Sequence, residues 1–188
     1  MKLILGSSSK YRKEVLGKAG YVFEVLSPDL DEKLIKVDDP YERPKILARA
    51  KADSLLSKVS EPALLITLDI VVVADGKLYE KPETHEHARQ MLRQYRAGVV
   101  PETICAMVVT NTETGEQFEG IDHAKVYFKH YPDEFIEYLI KEGDMLGRAG
   151  GFSIQMMRDY IKKVEGTEES IIGLPVHLLE ELLRKAGR

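Results

Sequence analysis

Short apolar runs and amphipathic stretches alternate along this chain. Residues 2–5 (KLIL) read as a buried strand, followed by Gly6-Ser7-Ser8-Ser9. From about Lys10 to Lys18 an apolar stripe of Val15, Leu16 and Ala19 has helical spacing, and Gly20 stops it. Residues 21–26 (YVFEVL) predict the next strand, ended by Ser27-Pro28. Residues 29–39 (DLDEKLIKVDD) are acidic and carry neither period. Pro40 is expected to open a long helix to about Lys58, with Ile46, Leu47, Ala50 and Leu55 inward and Lys51 beside them. Thr84 can cap a helix to about Arg96 whose inner face is Ala88, Met91, Leu92 and Tyr95. Two β-rich runs, 103–110 and 117–129, flank the polar loop 111–116 and read as a hairpin. A helix from Pro132-Asp133 to Lys141, a strand over 159–165 and a last amphipathic helix after Gly173-Leu174-Pro175 complete the set. Strands and helices alternate early and a long hairpin comes late, which predicts a mixed α/β sheet.

The stretch 64–82 (LLITLDIVVVADGKLYEKP) stands out. It reads as a nearly continuous apolar strand, a tight turn at Asp75-Gly76 and a short return to Lys81-Pro82. One carboxylate, Asp69, lies inside the apolar run. A buried ionised Asp requires a partner or a metal; alternation also allows residue 69 to face solvent.

Composition narrows the function classes. The chain has 188 residues, 44% hydrophobic and 31% charged, as expected of a globular domain. No apolar run approaches the ~18 residues of a membrane span, and MKLILGSSSK has too short an apolar segment for a secretory signal. A net charge of −4 gives no basic footprint for a nucleic-acid polymer but leaves room for a small anion held by a few cations. The lone Cys105 excludes an internal disulfide, fits a reducing, cytoplasmic setting, and lies in the apolar segment TICAMVV as an inert core thiol.

Four groupings could carry chemistry. In strand–GSSSKYR–helix, hydroxyls, free amides at a helix start and Arg12 make an anion cradle, or else a plain helix cap. The spacing of a P-loop or dinucleotide fingerprint is absent. Asp29, Asp31 and Glu32 form an acidic cluster that suits Mg²⁺ with phosphate, or a solvated loop. Lys51 and Lys81 are isolated cations; Lys51 could equally extend to solvent. In Gly150-Gly151-Phe152-Ser153-Ile154-Gln155, glycines permit close backbone approach and Gln155 offers a donor and an acceptor for a base edge. The five histidines lack zinc-pair spacing. Together these features point to a phosphate-bearing small molecule, with a divalent metal as a candidate cofactor.

In order, LILGSSSKYRKEVL, FEVLSPDLDE, LARAKA, the Asp69 strand with EKP, RAGGFSIQ and EG…IIGLP resemble the Maf family over essentially the whole chain. These septum-formation-inhibitor-like proteins are nucleoside triphosphate pyrophosphatases related in fold to the inosine triphosphatases. The resemblance implies one Maf-like domain over 1–188, with an elongated mixed sheet flanked by helices, two lobes with a cleft between them, and frequently a homodimer. It implies hydrolysis of the α–β phosphate bond of a nucleotide, non-standard ones included. By position, Asp69 would be catalytic. Ser7, Ser9, Arg12, Lys51 and Lys81 would bind phosphate, and Glu32 with Asp69 would meet Mg²⁺ or Mn²⁺. Tyr11, Ile70 and Gln155 would choose the base. The chain departs from the family pattern at Ile70, Val100-Pro101, Cys105, Arg148 and Tyr11. Those departures motivate an alternative: a nucleotide-binding protein with little turnover, or a regulatory protein linked to cell division.

Overall fold

The strand Lys2–Leu5 (β1) is central to the first half of the chain because both its neighbours run parallel to it. Leu3 pairs with Phe23 of β2 (Phe23–Val25) and with Leu64 of β3 (Ala63–Ala74). Parallel strands covered on both faces read as continuous apolar runs, and KLIL and ALLITLDIVVVA do so. The computed structural model describes Met1–Arg188. Its helices are α1 (Lys10–Lys18), α2 (Arg43–Leu56), α3 (His85–Arg96), α4 (Asp133–Glu142), α5 (Glu168–Ile172) and α6 (Val176–Lys185). The remaining strands are β4 (Lys77–Leu78), β5 (Glu102–Asn111), β6 (Gln117–Phe128) and β7 (Ile161–Glu165). They form a seven-stranded sheet in the order β2-β1-β3-β5-β6-β7, with β4 against β3 and β7 antiparallel to β6. The predicted mixed α/β sheet is therefore present. No helix is long and apolar enough to cross a membrane.

The chain folds into two compact units. One comprises Met1–Ile70, Cys105–Asp122 and Ile172–Arg188; the other comprises Val71–Ile104 and His123–Ile171. In the first, strand alternation sorts the core onto two faces. Leu3, Leu5, Leu64, Ile66, Leu68, Cys105, Met107 and Val109 pack with Leu16 of α1 and the leucines of α6. On the other face Ile4 and Leu65 meet Leu55, and Ala106 and Val108 meet Ala48 and Ala52 of α2. Asp69 belongs to this second face.

In the second unit, Asp75 (φ 50°) and Gly76 (φ 71°) make the predicted tight turn between β3 and β4. An aromatic cluster surrounds α3. Tyr95 stacks on Phe128 and meets Phe152 edge-on, and Tyr131 contacts Phe135 and Tyr160. Two buried phenols close onto backbone carbonyls: Tyr95 Oη donates to Gly150 O at 2.7 Å, and Tyr131 Oη to Leu92 O at 2.5 Å.

Several boundaries differ from expectation. The long helix opens at Arg43, with Pro44 in its first turn, not at Pro40. Its inner face is Leu47, Ala48, Lys51, Ala52 and Leu55, and Ile46 is exposed. The strand expected over 21–26 shortens to Phe23–Val25, and Glu32–Leu34 forms one 3₁₀ turn within the acidic segment. The expected strand over 159–165 begins at Ile161 because Arg158–Tyr160 turns as 3₁₀, and the short α5 had no sequence signal strong enough to separate it from the loop before Gly173.

Candidate active site

The site is built where β1, α1, β3 and α2 meet. β1 ends at Leu5, and Gly6 continues it, donating N–H to Ile66 O at 2.8 Å. A Cβ on Gly6 would stand 2.7 Å from both Leu55 Cδ1 and Thr67 Cγ2, so only glycine lets the strand exit pass this close beneath α2. The chain then enters α1 through the serines. Ser9 is the N-cap, its Oγ accepting from Arg12 N at 3.5 Å. Ser7 is buried; its Oγ accepts from Ser9 N at 3.3 Å and from Arg12 Nη1 at 3.2 Å. The same Arg12 nitrogen donates to Leu68 O at 3.2 Å, which pins the guanidinium beside the residue that precedes Asp69. Serines expected either to cap the helix or to form an anion cradle do the first visibly, and they aim Arg12 while doing it.

Asp69 is 7% exposed and Lys51 6%, so neither alternative that sent these side chains to solvent holds. Lys51 Nζ donates to Asp69 Oδ1 at 2.5 Å and lies 3.0 Å from Glu32 Oε1. Thr67, fully buried, donates from Oγ1 to Ala48 O at 2.8 Å. That bond sets the register of α2 on β3: one turn on from Ala48 comes Lys51, and two residues on from Thr67 comes Asp69. Burial pushes the Asp69 carboxyl above its ordinary value. Lys51 and Arg12 pull against that rise, and Glu32 adds to it.

Ser7, Ser9, Arg12, Glu32, Lys51 and Asp69 are thus gathered in one unit, although they come from four separate stretches. Tyr11, beside Arg12 on α1, is 36% exposed. Ile70 faces away from Asp69: it packs against the core under α6 and against Gly173, where a Cβ would come within 3.1 Å of Ile70 Cδ1. Asp29 and Asp31 are exposed, and Asp31 Oδ1 caps the 3₁₀ turn by accepting from Lys33 N. Cys105 is buried and its thiol is pushed up to about 12 by burial, as an inert core residue should be.

Lys81 and Gln155 lie in the other unit and are both exposed. The segments carrying them are joined there. Gly150 N donates to Tyr79 O at 2.9 Å and to Glu80 O at 3.2 Å, and a Cβ on Gly151 would stand 3.2 Å from Pro82 Cγ. Three supporting residues carry no functional signal in the sequence: Thr67 beside Asp69 in the first unit, and Tyr95 and Ser153 around the Gln155 loop in the second. Thr67 and Tyr95 read only as core positions. Ser153 stood inside the quoted glycine-rich motif, but its burial beside Gln155 had no local signal.

As a metal site, the donor set is Glu32 and Asp69, which turn one oxygen each toward the same cationic point, now the Lys51 ammonium. No group of three or more His, Cys, Asp or Glu side chains forms. Mg²⁺ is commonly held through one or two carboxylates with phosphate and water oxygens completing the shell, so this pair fits such an ion in number and kind.

The profile of the Maf-like proteins matches residues 2–186. This chain belongs to the Maf-like family. Among its Maf-like relatives, it is 41% identical over 193 residues to the 7-methyl-GTP pyrophosphatase of Dictyostelium discoideum, covering 99% of this chain and 98% of the relative. It is 34% identical over 186 residues to the dTTP/UTP pyrophosphatase of Geotalea uraniireducens, covering 98% and 95%. A dTTP/UTP pyrophosphatase of Chlamydia trachomatis is 36% identical over 184 residues, covering 97% and 92%. The Maf-like fold also resembles the solved Staphylococcus aureus Ham1 protein, with a TM-score of 0.50, 11% identity, and coverage of 99% of this chain and 100% of that one. That likeness concerns the fold alone.

Proposed function

We propose that this chain is a nucleoside triphosphate pyrophosphatase that cleaves the α–β phosphate bond, releasing a nucleoside monophosphate and pyrophosphate. The observation that carries the reading is Asp69: a buried carboxylate on a mostly apolar strand, raised by burial, held by Lys51 of α2 and beside Arg12. Relatives of 41% and 34% identity that are named pyrophosphatases support it.

Asp69 acts as general base on the attacking water; a carboxylate lifted toward neutrality accepts a proton better than one at its ordinary value. The water oxygen bonds to phosphorus, the bond to the bridging oxygen breaks, and the water proton passes to Asp69. Arg12 and Lys51 offset charge that develops on the phosphoryl oxygens. Ser7 keeps Arg12 oriented through its 3.2 Å bond. On the motif resemblance, Ser9 and Lys81 join phosphate binding, and Tyr11, Ile70 and Gln155 bear on base choice. Ile70 would do so as part of a packed wall. Mg²⁺ or Mn²⁺ held by Glu32 and Asp69 would neutralise phosphate charge when bound.

The test is Asp69→Asn, assayed for pyrophosphate release from canonical and modified nucleoside triphosphates with Mg²⁺. Loss of a general base lowers kcat by roughly 10²- to 10⁴-fold, with the circular dichroism spectrum retained. Wild-type turnover in the variant would refute the assignment.

A further inference from the structure

Gln155 is exposed at the end of the run Gly150-Gly151-Phe152-Ser153-Ile154, all of which is buried. Ser153 is 1% exposed, so its hydroxyl has no access to water. Its Oγ accepts from Met156 N at 3.4 Å, and Gln155 Oε1 lies 3.3 Å away. A buried hydroxyl proton needs an acceptor, and a carboxamide provides one only through its oxygen. Ser153 therefore fixes the direction of the amide. The Gln155 oxygen is engaged by Ser153, and the NH₂ group of this exposed residue, with two donor hydrogens, is not used by that bond.

The loop that carries this pair is pinned from behind. Tyr95 Oη holds Gly150 O at 2.7 Å, Gly150 N is bound to Tyr79 O, and Gly151 is backed by Pro82 and Met91. A side chain on such a support keeps its orientation at little entropic cost.

We propose that Ser153 is a specificity-determining residue: it holds Gln155 as a hydrogen-bond donor and so selects nucleobases that present a carbonyl oxygen, against those that present an amino group. This deepens the reading above and rests on Gln155 contacting the base. Uracil and thymine carry O4 and guanine-type bases O6, whereas cytosine and adenine carry N4 and N6 amino groups at those positions. An amino group would set donor against donor. The relatives named for dTTP/UTP and for 7-methyl-GTP have bases of the carbonyl kind.

The experiment compares UTP with CTP in kcat/KM for pyrophosphate release. It also compares UMP with CMP in binding by calorimetry, so that a chain without turnover still yields the ratio and the two readings fail separately. The wild type is expected to favour the uracil nucleotide. Ser153→Ala lowers the uracil-to-cytosine ratio by about 3-fold or more, the weight of one hydrogen bond. Ser153→Cys, closer in shape and a weak donor, also lowers the ratio and serves if the alanine variant is unstable. Gln155→Glu, at an exposed position, presents only acceptors and turns the preference toward cytosine. A wild type with no preference, or folded Ser153 variants with the wild-type ratio in both readouts, would overturn the proposal.

Discussion

Lys51 Nζ lies 2.5 Å from Asp69 Oδ1, with both side chains almost fully enclosed and Glu32 Oε1 3.0 Å from the same ammonium. One cation is therefore shared by two carboxylates, one deep and one half-exposed. The arrangement holds Asp69 in place while burial keeps its carboxyl raised.

Removing the cation tests this arrangement. Lys51→Met leaves Asp69 buried beside Glu32 with no ammonium between them, and breaking a buried pair by deleting one partner costs about 3 kcal/mol or more. The loss is read by urea unfolding at neutral pH. It shrinks in acid, where Asp69 takes up a proton. If Glu32 and Asp69 can hold a divalent ion, Mn²⁺ raises the melting temperature of Lys51→Met, and the further change Glu32→Gln abolishes that rise.

The raised Asp69 carboxyl has a defined pH signature. The folded state binds this proton more tightly than the unfolded chain does, so the contribution to stability is full below the ordinary value near 3.8 and is lost as pH rises through the folded value. Paired melts of wild type and Asp69→Asn should show the wild type gaining relative to the variant as pH falls. Catalysis should run the opposite way: the acid limb of kcat/KM, which reports the free enzyme, has its midpoint above 3.8, because the base must be ionised to accept the water proton.

Tyr95→Phe deletes the hydroxyl that closes on Gly150 O and leaves that carbonyl buried without its donor. The cost is about 1–2 kcal/mol, which lowers the melting temperature by roughly 2–8 °C at this chain length. Because Gly150 leads the loop bearing Gln155, KM for the nucleotide should rise more than kcat falls. An unchanged KM would mean that Tyr95 serves packing alone.

Much of this was legible along the chain. The face Ala88, Met91, Leu92 and Tyr95 of α3, with its Thr84 cap, follows from spacing, because an amphipathic helix records its buried side every three or four residues. Asp75-Gly76 announced its turn because few residues accept positive φ. The inert Cys105 followed from its apolar neighbours. The start of α2 is not decided locally, because Pro40 and Pro44 are both compatible with a helix entry, and only the docking of Leu47 and Ala48 selects between them. The same docking turned Ile46 outward and Lys51 inward, against their usual preferences.

The chain's own residues determine which groups are available: a carboxylate within an apolar strand, serines and Arg12 after β1, two isolated lysines and an amide after paired glycines. They also set the order of strands and helices, since period and turn chemistry are local. What local order cannot state is which distant groups meet. Lys51 reaches Asp69 because Gly6 lets α2 lie close and Thr67 fixes its register, and Arg12 reaches Leu68 because α1 returns over the same strand. Ser153 finds Gln155 because the loop folds back under Tyr95. Those pairings are set by the packing of distant elements, and the Asp69 carboxyl is raised, against the pull of Lys51 and Arg12, because the same packing excludes water. That property belongs to the assembled structure and to no single segment of the chain.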